Sequence, residues 1–145
     1  MAKPAVFLDS SVIIASLLST TGGSFYIINT LKDDFNFQTN EYGLAEIQRI
    51  LKSKFASEPS MLSQLFLILG TSKIKILPNP TKKEERAAAK YISKIDAPIL
   101  AGAVKHSDYL ITLDNEFLKP DIVELANKKS LLISKPKEFI EKFRQ

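Results

Sequence analysis

Cysteine is absent from this chain of 145 residues. Neither a disulfide framework nor a thiolate metal site can exist, so zinc-finger and thiol-redox classes fall away. Histidine occurs once, as His106, near a predicted helix end where the helix dipole already accounts for it. Imidazole chemistry therefore has little to build on. With only five glycines and no Gly/Ser/Pro-rich stretch, nothing divides the chain into parts, and one domain over residues 1–145 is expected. Long apolar runs are missing too. The longest, around residues 62–69 and 99–104, are too short to span a bilayer. In the opening MAKPAVFLDSS an acid interrupts the apolar run almost at once, unlike a signal peptide. A cytoplasmic protein without membrane association is the expectation.

The composition that remains is ordinary for a globular protein, with 45% hydrophobic and 25% charged residues. Charge is uneven. Residues 1–70 hold five Lys+Arg against six Asp+Glu, and residues 71–145 hold fifteen against ten. A basic half suits an anionic partner such as nucleic acid; a solvated lysine-rich surface explains it equally well.

Apolar segments of strand length alternate with segments of helical period. Strands are predicted at 6–8, 35–39, 74–77, 109–112 and 131–133. Helices are predicted at 10–19, 24–32, 41–55, 59–69, 82–93, 97–106 and 135–145, with short helical pieces at 115–118 and 121–127. Thr81 and Glu84 form a capping-box pattern ahead of the charged helix, and Asp96 is expected to cap the helix that follows it. Such alternation implies a parallel sheet covered on both faces. The expected architecture is a three-layer α/β/α sandwich on a mostly parallel five-stranded sheet. Its binding crevice lies beyond the carboxyl ends of the strands, where strand order reverses.

Four acids fall at that edge. Asp9 in VFLDSS ends the first strand, and Asp114 in YLITLDNEFL lies just past the fourth. Glu46 in EYGLAEIQ rides the helix after strand two, and Asp96 in SKIDAPIL starts the helix leading to strand four. Each has a plain structural reading: Asp9 and Asp96 as helix caps, Glu46 as a solvated helix residue, Asp114 as a turn residue. Their joint placement is what points to chemistry, because gathered carboxylates repel unless a hard cation lies between them. Ser11 and Thr112 could orient a ligand through their hydroxyls, with Glu116 a further outer carboxylate. Lys73, Lys75, Lys82 and Lys105 are candidates for phosphate contacts.

Taken together these segments resemble the PIN-domain family, which includes the toxin nucleases of VapBC-type toxin–antitoxin pairs. VFLDSSVIIASLL is similar to the family's opening strand, acid and helix, and GLAEIQRIL to the helix bearing its second acid. DAPILAGAVKHSDYLITLDNEFL, with T-x-D-x-x-F, is the most specific segment. Asp9, Glu46, Asp96 and Asp114 occupy the four acidic positions. Ser10 and Ser11 stand where many relatives carry Thr and Asn, Tyr42-Gly43 where Ser or Thr often precedes the second acid, and Leu113 where Gly or Arg is frequent.

The resemblance implies cleavage of RNA phosphodiesters dependent on Mg²⁺ or Mn²⁺, with the four acids as metal ligands, a homodimeric assembly and an antitoxin partner. Oxygen donors suit those ions better than zinc. Two other readings compete. A non-catalytic PIN-like module would bind RNA or a protein partner without cleaving. A phosphoacceptor receiver domain would need an acceptor Asp after strand three, where this chain has Pro78-Asn79-Pro80, and that reading is poor.

Overall fold

The computed structural model describes residues 2–144. Its elements run β1 (Ala5–Leu8), α1 (Ser10–Leu18), α2 (Gly23–Thr30), β2 (Asn36–Asn40), α3 (Glu41–Lys54), α4 (Ser60–Thr71), β3 (Lys75–Leu77), α5 (Lys82–Ala88) and α6 (Ala97–His106). Then come β4 (Tyr109–Ile111), a 3₁₀ turn over Asn115–Leu118, α7 (Pro120–Lys128), β5 (Leu132–Ser134) and α8 (Pro136–Phe143). The five strands form one sheet in the order β3-β2-β1-β4-β5, and every pairing is parallel. The chain first winds outward from β1 to β3, then returns to place β4 on the other side of β1. Order therefore reverses between β1 and β4, the place where open α/β sheets form their binding crevice.

Period-two alternation in the strands assigns the two faces. In β1, Val6 and Leu8 join the core formed with α1 to α4 and α8, whereas Phe7 joins the core formed with α5, α6 and α7. All three are fully buried, as expected of a central parallel strand covered on both sides. The result is a three-layer α/β/α sandwich. On the first face Phe35, Tyr109, Phe139 and Phe143 pack ring against ring at centroid separations of 4.8–6.4 Å, which pins α8 to the sheet. On the second face α6 lies unusually close. A Cβ added at Gly102 would stand 2.7 Å from Asn40 Nδ2 and 3.2 Å from the Phe7 ring, so only glycine lets this helix approach.

One helix end departs by several residues from the sequence reading, and one expected cap is not made. The charged helix expected to run to residue 93 stops at Ala88. The next residues turn back so that Ile92 is buried, with the amides of Tyr91 and Ile92 both donating to the Ala88 carbonyl. Burial of that one apolar side chain outweighs continuation of a solvated helix. Asp96 does not cap α6 either: its backbone is already helical and its side chain makes no capping bond. The capping box at Thr81 and Glu84 is present as expected. The terminal helix ends at Phe143, and residue 145 of its expected span lies outside the described residues. Among the described residues no single helix is long and apolar enough to cross a membrane.

Candidate functional site

Asp9 follows β1 immediately, and its amide donates to the Ile111 carbonyl of β4 at 3.1 Å. That bond fixes its backbone at the reversal point. The side chain is 5% exposed and is fully engaged. Oδ1 accepts the Ser10 amide at 2.8 Å, so Asp9 does cap α1. Oδ2 accepts from the Thr112 hydroxyl at 2.7 Å and the Ser11 hydroxyl at 3.0 Å. Those hydroxyls accept in turn from the Asp114 amide (2.9 Å) and the Leu113 amide (3.1 Å). Asp9 and the segment carrying Asp114 are thus two hydrogen bonds apart across the strand ends.

Glu46 enters through α3. The Ser10 hydroxyl donates to Glu46 Oε1, so Ser10, the first residue of α1, joins the second acid to the first. Arg49, one turn on, approaches the other oxygen at 4.0 Å and is mostly solvated. Asp114 has its own local task, accepting the Glu116 amide at 3.0 Å to start the 3₁₀ turn. The half-buried side chain of Asp96 accepts from the Ser93 hydroxyl at 3.1 Å.

Electrostatics tie the acids into one field. Burial pushes the Asp9 carboxyl up from 3.8 to about 6, against the pull of its hydrogen bonds, with Glu46 adding a smaller push. Asp96 is raised chiefly by burial, then by the charges of Asp114, Glu46 and Glu116. Among the described residues, none of Asp9, Asp96 and Asp114 forms an ion pair with a cationic side chain. Negative charge is therefore concentrated at the strand ends with little to neutralise it, the condition under which a divalent cation gains most.

The donor set of carboxylate and hydroxyl oxygens, without sulfur or imidazole, fits Mg²⁺ or Mn²⁺. The spacing is looser than the sequence reading assumed. Among the described residues no three acidic or imidazole side chains stand close enough to hold one ion. Mg²⁺ usually takes one or two carboxylates and keeps several waters, and that mode matches an open edge of this kind.

Asn40 and Tyr42 have roles near the acids that the sequence reading did not assign. Asn40, fully buried at the end of β2, caps α3 by accepting the Gly43 amide at 2.9 Å and donates to the Pro98 carbonyl of α6 at 3.1 Å. One amide side chain thus fastens together the helices bearing Glu46 and Asp96. The signal was legible: an Asn directly before a helix with Glu41 in its first turn is a cap pattern. The Tyr42 hydroxyl donates to the Ile95 carbonyl at 2.7 Å. Its phenol is raised by burial, then by the charges of Glu46 and Asp96.

Other candidates fall elsewhere. Lys75 opens β3 and Lys73 precedes it, at the strand edge opposite the acids. Lys105 lies at the far end of α6 and pairs with Glu84 at 3.1 Å. His106 ends α6, where its carbonyl accepts from Gln38. Lys82 opens α5, two residues before the Glu84 that pairs with Lys105.

The family model for the PIN domain matches residues 6–123. No curated protein matches the chain. Among solved structures, VapBC2 from Rickettsia felis, bound to a DNA fragment from its promoter, aligns with a TM-score of 0.66 at 17% identity, covering 90% of this chain and 98% of that one. PAE2754 from Pyrobaculum aerophilum aligns with a TM-score of 0.67 at 15% identity, covering 97% of each chain. At these identities the likeness is one of fold.

Proposed function

This chain belongs to the PIN domain family of nucleases, and on that premise we propose that it is a metal-dependent endoribonuclease hydrolysing RNA phosphodiesters at the carboxyl ends of β1 and β4. The observation that carries the reading is Asp9: a buried carboxylate bound by two hydroxyls, without a cationic partner among the described residues, and coupled through Glu46 to Asp96 and Asp114. Asp9, Asp96, Asp114 and Glu46 would hold Mg²⁺ or Mn²⁺, one or two of them directly and the others through water.

When bound, the cation supplies the positive charge that activates water and stabilises the leaving oxygen. The protein's part is to hold its oxygens ready. Thr112 and Ser11 fix the orientation of Asp9 and favour its ionised form. Ser10 holds the Glu46 carboxylate toward the same edge. Asn40 keeps α3 and α6 in register with the sheet. Glu116, beside Asp96 and paired with Lys119 at 2.7 Å, adds charge at the outer rim.

The shared fold with VapBC2 supports a place in a toxin–antitoxin pair with a protein antitoxin; a homodimeric state and a cytoplasmic location are part of the same proposal. One observation favours the non-cleaving module: the acids are not spaced to grip an ion as they stand. The deciding experiment is incubation of a mixed RNA pool with Mn²⁺, with chelator, and with Asp9→Asn. Cleavage is expected only from the unmodified protein with metal. Metal-independent cleavage, or full activity in the variant, refutes the assignment; binding without cleavage assigns the module instead.

A further inference from the structure

Beside the acids lies a groove of about 650 Å³ whose chemistry differs from theirs. Leu113, between Thr112 and Asp114, forms its near wall, and the starts of α2 and α8 form its floor. These two helices meet closely: a Cβ at Gly23 would stand 3.3 Å from Ile140 Cδ1 and 3.4 Å from Pro136 Cβ. Lys135, Lys137 and Arg144 line the groove against one acid, Glu141. Tyr26, 37% exposed, and Leu113, 44% exposed, present apolar surface to the same space. No side chain caps the first turn of α2, so its amides add to the positive character there.

Cations, a solvent-facing aromatic ring and an apolar wall, continuous with a cluster of acids, suit one kind of occupant. A single strand needs positive charge along its backbone and flat apolar surface for its bases. The acids repel that backbone except where a metal intervenes, so the flanking phosphates need cations outside the acid cluster. We infer that this groove binds the single-stranded RNA segment flanking the cleaved bond, with Lys135, Lys137 and Arg144 on phosphates and Tyr26 beneath a base. The inference rests on the nuclease reading and extends it to substrate path.

The test is binding of a fluorescent single-stranded RNA of mixed sequence to the full chain in chelator, titrated over salt concentration. Changing Lys135, Lys137 and Arg144 together to Gln flattens the slope of log Kd against log salt by about 2, at roughly 0.7 per lost phosphate contact in single strands. Each single change flattens it by about 0.7, which keeps the result readable if the triple variant folds poorly. Tyr26→Leu weakens binding about tenfold, the scale of one lost stacking contact. Lys90→Gln with Lys129→Gln, in the separate groove between α5, α6 and α7, leaves the slope unchanged. An unaltered slope in the Lys135/Lys137/Arg144 variants overturns the inference and assigns the groove to another occupant, such as a protein segment. In that case metal-dependent cleavage by the unmodified protein leaves the nuclease reading standing. Failure of the unmodified protein both to bind and to cleave RNA sinks the two together.

Discussion

Asp9→Asn separates the cost of holding a buried charge from the benefit of its hydrogen bonds. In the folded protein Asp9 keeps its proton up to about pH 6; unfolded, it releases it near 3.8. Below 3.8 both states are protonated and burial carries no charge penalty. As pH rises from 3.8 to 6 the unfolded chain ionises first, so the folded state loses stability, and above 6 the whole loss persists. At roughly 1.4 kcal/mol per pKa unit the full loss is about 3 kcal/mol, of which about 2.5 develops between pH 4 and pH 8. Asn cannot ionise, but with its one oxygen turned to Thr112 and Ser11 it sets an NH₂ group against the Ser10 amide and loses the α1 cap, which costs about 1–2 kcal/mol at every pH. Stability at a single pH would mix the two effects. The informative quantity is the change from pH 8 to pH 4 in each protein, measured by thermal melts in chelator. Other carboxylates titrate alike in both and cancel. The unmodified protein should gain about 5–10 °C more than Asp9→Asn across that range, at about 2–4 °C per kcal/mol for a domain of this size. Parallel pH profiles would show that Asp9 is not held against ionisation, and the electrostatic case for a cation at this edge would go with it.

Mn²⁺ should stabilise the unmodified protein at pH 8 by about 2.7 kcal/mol at a hundredfold excess over its dissociation constant, and should leave Asp9→Asn nearly unmoved; equal shifts in both place the ion elsewhere. Asn40→Ala removes the α3 cap and leaves the Pro98 carbonyl unpaired, so chemical denaturation should show a loss of about 2–3 kcal/mol, and a loss below about 0.5 kcal/mol would rule out the double tether. Gly102→Ala should cost about 1–3 kcal/mol by forcing α6 off Asn40 and Phe7; a neutral result would mean the sheet yields without strain.

The sandwich was legible because its strands are short, apolar and separated by helical period, and because a wholly parallel sheet leaves few ways to cover both faces. Helix ends were less legible where tertiary burial decided them. Ile92 ends α5 early by entering the core, which local charge pattern cannot show. Asp96 stands in a good capping position by sequence, yet its helical backbone points the carboxylate to Ser93 instead of the first-turn amides. The four acids were found by their place at strand ends, but their separation is a matter of side-chain direction, and no spacing rule supplies that. The tethering roles of Ser10 and Asn40 were not legible for a common reason: each acts on a residue 36 or 58 positions away, and short polar side chains look alike until the chain is folded.

The Thr112 bond to Asp9 spans 103 positions of sequence, and β1 lies in the middle of the sheet with β4 as its late-arriving neighbour. During synthesis the first acid leaves the ribosome long before the last. A nascent chain ending before β4 has its opening strand paired on one side alone and lacks Thr112 and Asp114 altogether. Any hydrolytic power belonging to this edge is therefore withheld until translation has passed residue 114 and the second half has docked. The order in which the strands are made is enough to impose that delay.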